Sequence, residues 1–160
     1  MTQGNDVEQY RLLAVDDNDH CSDLIVTAAV HCGYEAFKVA DIGSLREAIA
    51  HWRPHIITLD FCHPNADEFE ILLSLKTVQF NGQLVIISGQ SEWERSQTSK
   101  IAAANGLRVA GHAAKPVQVD RLRELLTTIK SSLFLAQLKR FDGARVAARQ
   151  TASPRPRGHH

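Results

Sequence analysis

Five side chains in this 160-residue sequence have the types and placement to handle a phosphoryl group: Asp16, Asp17, Asp60, Ser88 and Lys115. Each stands at or just beyond a short apolar run. LLAV leads into Asp16-Asp17, IITL into Asp60 and VII into Ser88, while Lys115 follows the weaker run Leu107–Ala113. Three carboxylates at one place repel one another and require a cation. An all-oxygen ligand set favours Mg²⁺ or Mn²⁺ over zinc. Asp60 can then act as a nucleophile towards phosphorus. Lys115 and the metal offset charge on the transferring oxygens, and the Ser88 hydroxyl can donate a hydrogen bond to one of them. Alone, each residue has a plainer explanation: an acidic helix start for Asp16-Asp17, a turn residue for Asp60, a solvated lysine for Lys115. Their order on successive runs is what points to chemistry.

Residues so far apart meet only if the strand ends share one edge of a sheet. The patterning supplies such a sheet. Arg11–Val15 reads as a buried strand, followed by a helix capped by Asn18 or Asp19 and stopped by Gly33. Tyr34–Ala40 alternates as a strand. Ser44 with Glu47 predicts a capping box for a helix that Pro54 ends. His55–Leu59 is a strand delivering Asp60. A helix is expected over 68–79, apolar at Phe69, Leu72, Leu73 and Leu75. Gln83–Ile87 is a β-branched strand, a helix follows over 92–105, and Leu107–Ala113 is a fifth strand before Lys115-Pro116. A last helix begins near Val119 or Asp120. Five β-α alternations argue for a parallel sheet with helices on both faces. In such a sheet, ligands bind beyond the carboxyl ends of the strands.

The quoted segments also resemble a known family. LLAVDDN resembles the first-strand signature of receiver domains from bacterial two-component response regulators. IITLDFCHPNADEFEIL is similar to their phosphoacceptor segment, VIISG to their switch strand and HAAKP to their Lys-Pro signature. The resemblance runs from about Tyr10 to Lys130. It implies an α/β, flavodoxin-like (CheY-like) three-layer sandwich with strand order 2-1-3-4-5. It implies that Asp60 accepts a phosphoryl group from a sensor histidine kinase or phosphotransfer protein. Asp17 and Asp60 would hold Mg²⁺ through carboxylates, Cys62 through its backbone carbonyl, and Asp16 mainly through metal-bound water. Ser88 would move towards the phosphoryl group and His112, standing where the family usually has Tyr or Phe, would fill the vacated space. A cis Lys115-Pro116 bond would aim the lysine. Glu68 and His63 depart from frequent Gly and Met, and Cys62 and Gln90 occupy positions that tune dephosphorylation. On this reading the protein is a phosphorylation switch and not an enzyme, acting on a downstream protein or effector domain, with a second copy of the chain as a further candidate partner.

Bulk properties set the outer limits. Lys+Arg 18 and Asp+Glu 18 cancel, so global charge supports neither nucleic-acid nor membrane binding. The cysteines, Cys21, Cys32 and Cys62, follow no zinc spacing, and free thiols suit a reducing cytoplasm. Cys21 and Cys32 read as helix-face or core residues. Trp52 is expected to cover core and Trp93 to lie in the first turn of a helix beside Ser88. A receiver domain is expected over 8–132, with a helical extension and an Arg/Pro-rich disordered tail over 133–160. Two alternatives remain open. AAANGLRVAGHAAKP resembles receivers joined to EAL-type cyclic-di-GMP phosphodiesterases, which would make the chain a scaffold or a truncated regulatory domain. A small α/β phosphohydrolase of the haloacid-dehalogenase kind would want a second Asp two residues after Asp60, where this chain has Cys62.

Overall fold

The computed structural model describes residues 9–16, 18–61, 66–89 and 91–151. Asp17, Cys62, His63, Pro64 and Gln90 therefore lie outside the described residues, as do residues 152–160 of the tail. Five strands and five helices alternate: β1 (Arg11–Val15), α1 (Asp19–His31), β2 (Glu35–Val39), α2 (Ile42–Trp52), β3 (Ile56–Phe61), α3 (Ala66–Thr77), β4 (Gln83–Ser88), α4 (Glu92–Ala104), β5 (Arg108–Ala114) and α5 (Val119–Thr151). All strand pairs are parallel, as the alternation predicts, and the order is β2-β1-β3-β4-β5, as the resemblance implies. No described helix is long and apolar enough to cross a membrane.

Burial follows the position of each strand in this order. β1, β3 and β4 lie inside the sheet, and Leu12, Leu13, Ile56, Ile57, Leu84 and Ile86 are fully buried. Strands covered on both faces need continuous apolar runs rather than alternation. β2 and β5 are the edges, and β5 alternates exposed and half-buried residues along its length. That weaker pattern is an edge strand's signature. The main core gathers Leu13, Ile57, Leu59, Leu72, Leu75 and Leu84, with Trp52 packed against it.

Local chemistry places the helix ends. Asn18 caps α1, its side chain accepting from the Cys21 backbone N–H, and Gly33 takes φ 89 after the helix, a conformation glycine adopts without steric cost. The capping box expected at Ser44 and Glu47 is absent. Asp41 is the N-cap, and its side chain accepts from Ser44 N at 2.7 Å. The helix starts earlier than a cap at Ser44 requires, because Asp serves as a cap as well as Ser does. A capping box forms instead at Ser91 and Glu94 on α4. On α3, Leu72 and Leu75 are buried but Phe69 and Leu73 are exposed, so its inner face is narrower than four apolar residues suggested. The last helix runs from Val119 to Thr151. The chain divides into compact units after Thr127.

Tyr34 links the edge of the sheet to α5. It is 1% exposed, and its hydroxyl donates to the Leu126 carbonyl at 2.5 Å. Two substitutions separate packing from hydrogen bonding. Ile57→Ala should cost about 2–5 kcal/mol through lost burial and a residual cavity. Tyr34→Phe should cost about 1 kcal/mol. Urea unfolding measures both, with the slope unchanged for each variant.

Candidate functional site

The carboxyl ends of β1 and β3 place Asp16 and Asp60 side by side. Backbone bonds fix Asp16: its N–H donates to Val39 O at 3.3 Å, and its Oδ1 accepts from Asn18 N at 2.9 Å. The residue is only 6% exposed. Its second oxygen, Oδ2, is buried without a hydrogen-bond partner among the described residues. A buried polar atom left in this way is costly unless something occupies its lone pairs. Burial first, and then the neighbouring Asp60 carboxylate, push the Asp16 carboxyl up to about 6, against the smaller opposing effect of the Asn18 N–H.

Asp60 sits at the β3 end, paired in register with Ile87. Its side chain is 2% exposed and forms an ion pair with Lys115 Nζ. Lys115 arrives from the loop after β5, where its backbone N–H donates to Ser88 O at 3.1 Å. That bond ties the lysine's loop to the end of β4. The Lys115-Pro116 peptide is cis, as the resemblance implies. Ser88 is fully buried. Sheet order thus brings Asp16, Asp60, Ser88 and Lys115 to one edge, from four separate strand ends. Asp17 and Cys62, the other expected metal ligands, lie outside the described residues.

One residue at this edge was not foreseen. Cys21 stands in the first turn of α1, and its sulfur and one oxygen each of Asp16 and Asp60 all lie within 4.8 Å of one another. Burial, then the Asp16 carboxyl, pushes the Cys21 thiol up to about 11. A signal for it existed in the sequence. Asn18 is a strong N-cap candidate, and the third residue after a cap lies on the first turn, above the same strand end.

His112 is an exposed residue of β5, and its Nε2 lies 2.7 Å from Ser99 Oγ on α4. Partial loss of solvent around the ring, then the nearby Arg95 charge, hold its pKa below the ordinary histidine value. The ring therefore stands outward, against α4. Beside it a groove of about 610 Å³ runs between α4, β5 and the start of α5, lined by Arg95, His112, Lys115, Arg121 and Leu125 among others. Trp93 is 70% exposed in the first turn of α4.

Comparison with known proteins agrees with this geometry. No family model matches the chain. Sporulation initiation phosphotransferase F of Bacillus subtilis (strain 168) is 28% identical over 114 residues, covering 71% of this chain and 88% of that protein. A response regulator from Colwellia psychrerythraea shares the fold with a TM-score of 0.68 at 22% identity, over 77% of this chain and 98% of that one. A response regulator receiver domain protein (CheY-like) from Methanospirillum hungatei JF-1 does so with a TM-score of 0.63 at 23% identity, over 82% and 98%. CheY4, a chemotaxis protein of Vibrio cholerae, gives 0.63 at 22% identity, over 76% and 98%. The sequence relative, the strand order and the motif order all agree: the chain has the CheY-like fold of these response regulators and is similar in sequence to a sporulation phosphotransferase.

Proposed function

We propose that Asp60 is the phosphoacceptor of a two-component relay and that its phosphorylation changes what the α4–β5–α5 face binds. The carrying observation is the buried Asp60 carboxylate paired with Lys115, beside a second buried carboxylate that has one oxygen unsatisfied. The donor is a sensor histidine kinase or a phosphotransfer protein. An Asp60 oxygen attacks phosphorus, the O–P bond forms as the P–N bond to the donor histidine breaks, and the product is an acyl phosphate. Lys115 holds the nucleophile in place before transfer and faces the added negative charge after it.

The donor chemistry at this edge fits a hard divalent cation, because the unsatisfied Asp16 oxygen and the Asp60 carboxylate converge there. Asp16, Asp17, Asp60 and the Cys62 carbonyl would hold Mg²⁺, which when bound supplies positive charge at the transferring oxygens. The residues of the chain do the rest. Ser88 turns its hydroxyl to a phosphoryl oxygen, and the His112 ring leaves Ser99 for the space behind it. α4 loses that contact, and the groove beside it is remodelled. A partner that prefers the remodelled surface shifts the population towards it. The downstream partner is a protein or an effector domain, and a regulated homodimer uses the same kind of preference. We assign the switch to the cytoplasm, where reduced thiols and phosphotransfer partners coexist.

Incubation with acetyl phosphate and Mg²⁺, followed by intact mass, should give one phosphoryl adduct per chain, stable in acid and labile in base. Asp60→Asn should abolish it. An adduct of equal yield in Asp60→Asn would place the acceptor elsewhere.

The raised Asp16 pKa carries a second expectation. The folded protein holds this proton up to about pH 6, whereas the unfolded chain loses it near the model-peptide value of about 3.9. The metal-free protein should therefore lose stability from this group as pH rises from about 4 to about 6. Mg²⁺ should offset that loss at neutral pH, by about 1.4 kcal/mol at ten times its Kd. Thermal unfolding across pH, with EDTA and with Mg²⁺, measures both effects; in Asp16→Asn the pH-dependent component should be reduced.

A further inference from the structure

The reaction outlined above makes no use of Cys21, yet its sulfur shares the site with both carboxylates. Three facts bear on what it does there. The sulfur and one oxygen each of Asp16 and Asp60 fall within 4.8 Å of one another. Tetrahedral ligands around zinc stand about 3.5 Å apart at ordinary bond lengths, so modest side-chain rotations close the difference. Asp16 is 6% exposed and its Oδ2 has no hydrogen-bond partner among the described residues. The carboxyl that carries this unsatisfied oxygen faces both Cys21 and Asp60. Finally, the Cys21 backbone N–H is held by the Asn18 side chain at 3.1 Å, so the sulfur is carried on a fixed turn of helix.

We propose that Asp16, Cys21 and Asp60 form a binding site for thiophilic divalent cations of the zinc class, and that its occupation excludes Mg²⁺ and withholds Asp60 from phosphorus. The binding half stands on geometry alone; the inhibitory half rests on Asp60 being the phosphoacceptor. A set of oxygens would leave no reason to prefer zinc, and Mg²⁺ gains nothing from sulfur. The thiol changes the order of preference. Zn²⁺ and Cd²⁺ bind thiolate strongly and accept three protein ligands with one open position. Charge also balances. With the thiol ionised, the two carboxylates, the thiolate and Lys115 leave two negative charges for a divalent ion to neutralise. The thiol proton is released to solvent as the metal–sulfur bond forms.

The test uses the full chain, freed of metal with EDTA and desalted. Cd²⁺ is titrated while the thiolate-to-metal absorption in the ultraviolet is read. One Cd²⁺ per chain with a charge-transfer band is expected in the parent protein, in Cys32→Ser and in Cys62→Ser. The band should vanish in Cys21→Ser, with affinity weakened roughly tenfold or more. Cys21→Ala, checked for helix content by circular dichroism, should behave as Cys21→Ser does. Absence of a band in the parent, or its survival in both Cys21 variants, overturns the site.

The inhibitory half is read separately, by acetyl phosphate labelling in Mg²⁺ with and without equimolar Zn²⁺. Zinc should suppress labelling in the parent and not in Cys21→Ser. Labelling that zinc leaves intact overturns the competition. A Cys21-dependent band in a protein that no Mg²⁺ condition can label leaves the cation site standing and removes the phosphoacceptor reading instead.

Discussion

Gathering carboxylates at the buried end of a parallel sheet costs free energy, and the site is organised around that cost. Two acidic groups stripped of most of their water repel one another. Asp60 is relieved by Lys115. Asp16 is not, and its burial and raised pKa record the difference. Inside the protein such a pair is weak evidence for stability, because desolvation can exceed the attraction gained. Its retention at a sheet edge fits a group kept ready for charge that arrives later. On the proposed function, a bound cation and a phosphoryl group would act on this same imbalance, one by supplying positive charge and the other by drawing Lys115 and Ser88 towards new negative charge.

Holding that imbalance in place falls to the sheet. β1, β3 and β4 are its inner strands, and their apolar residues leave the carboxyl ends little freedom to splay. Lys115 comes from a longer distance, at the end of an edge strand. It is secured by the backbone bond from its N–H to Ser88 O. The register between β4 and β5 shifts between Leu84 and Val85, a local irregularity of the kind that redirects an edge strand. The lysine loop and the Ser88 strand end are thus one connected unit, so a displacement of Ser88 is felt at β5.

Much of this was legible in the residues. The inner strands announced themselves as uninterrupted apolar runs, and each run ended on the side chain that the sheet brings to the site. Less direct signals misled. Ser44 with Glu47 matched a capping pattern, but Asp41 was an equally good cap and closer to the preceding strand. Phe69 and Leu73 are apolar yet exposed, since composition does not say which residues of a helix face inward. Cys21 escaped notice because a cysteine on a helix is usually packing, and only three-dimensional proximity to Asp16 and Asp60 gives it another meaning. The later turns of α5 are rich in Arg and Ala, both good helix formers.

α4 shows how a small event at the strand ends can reach the surface. The helix next to Ser88 and His112 buries only Thr98 and Ala102, whereas α1 buries Ser22, Ile25, Ala28 and Ala29. Thr and Ala contribute little apolar area, and stabilisation scales with area removed from water. α4 is therefore held more by its capping box and by bonds such as Ser99 to His112 than by a packed face. Elements with little buried apolar surface are the ones that shift at low cost. Exchanging one hydrogen bond at His112 for contacts inside the domain is then comparable in energy to what holds the helix. The proposed switch needs that near-balance, because a firmly packed α4 would leave phosphorylation of Asp60 chemically complete and structurally silent.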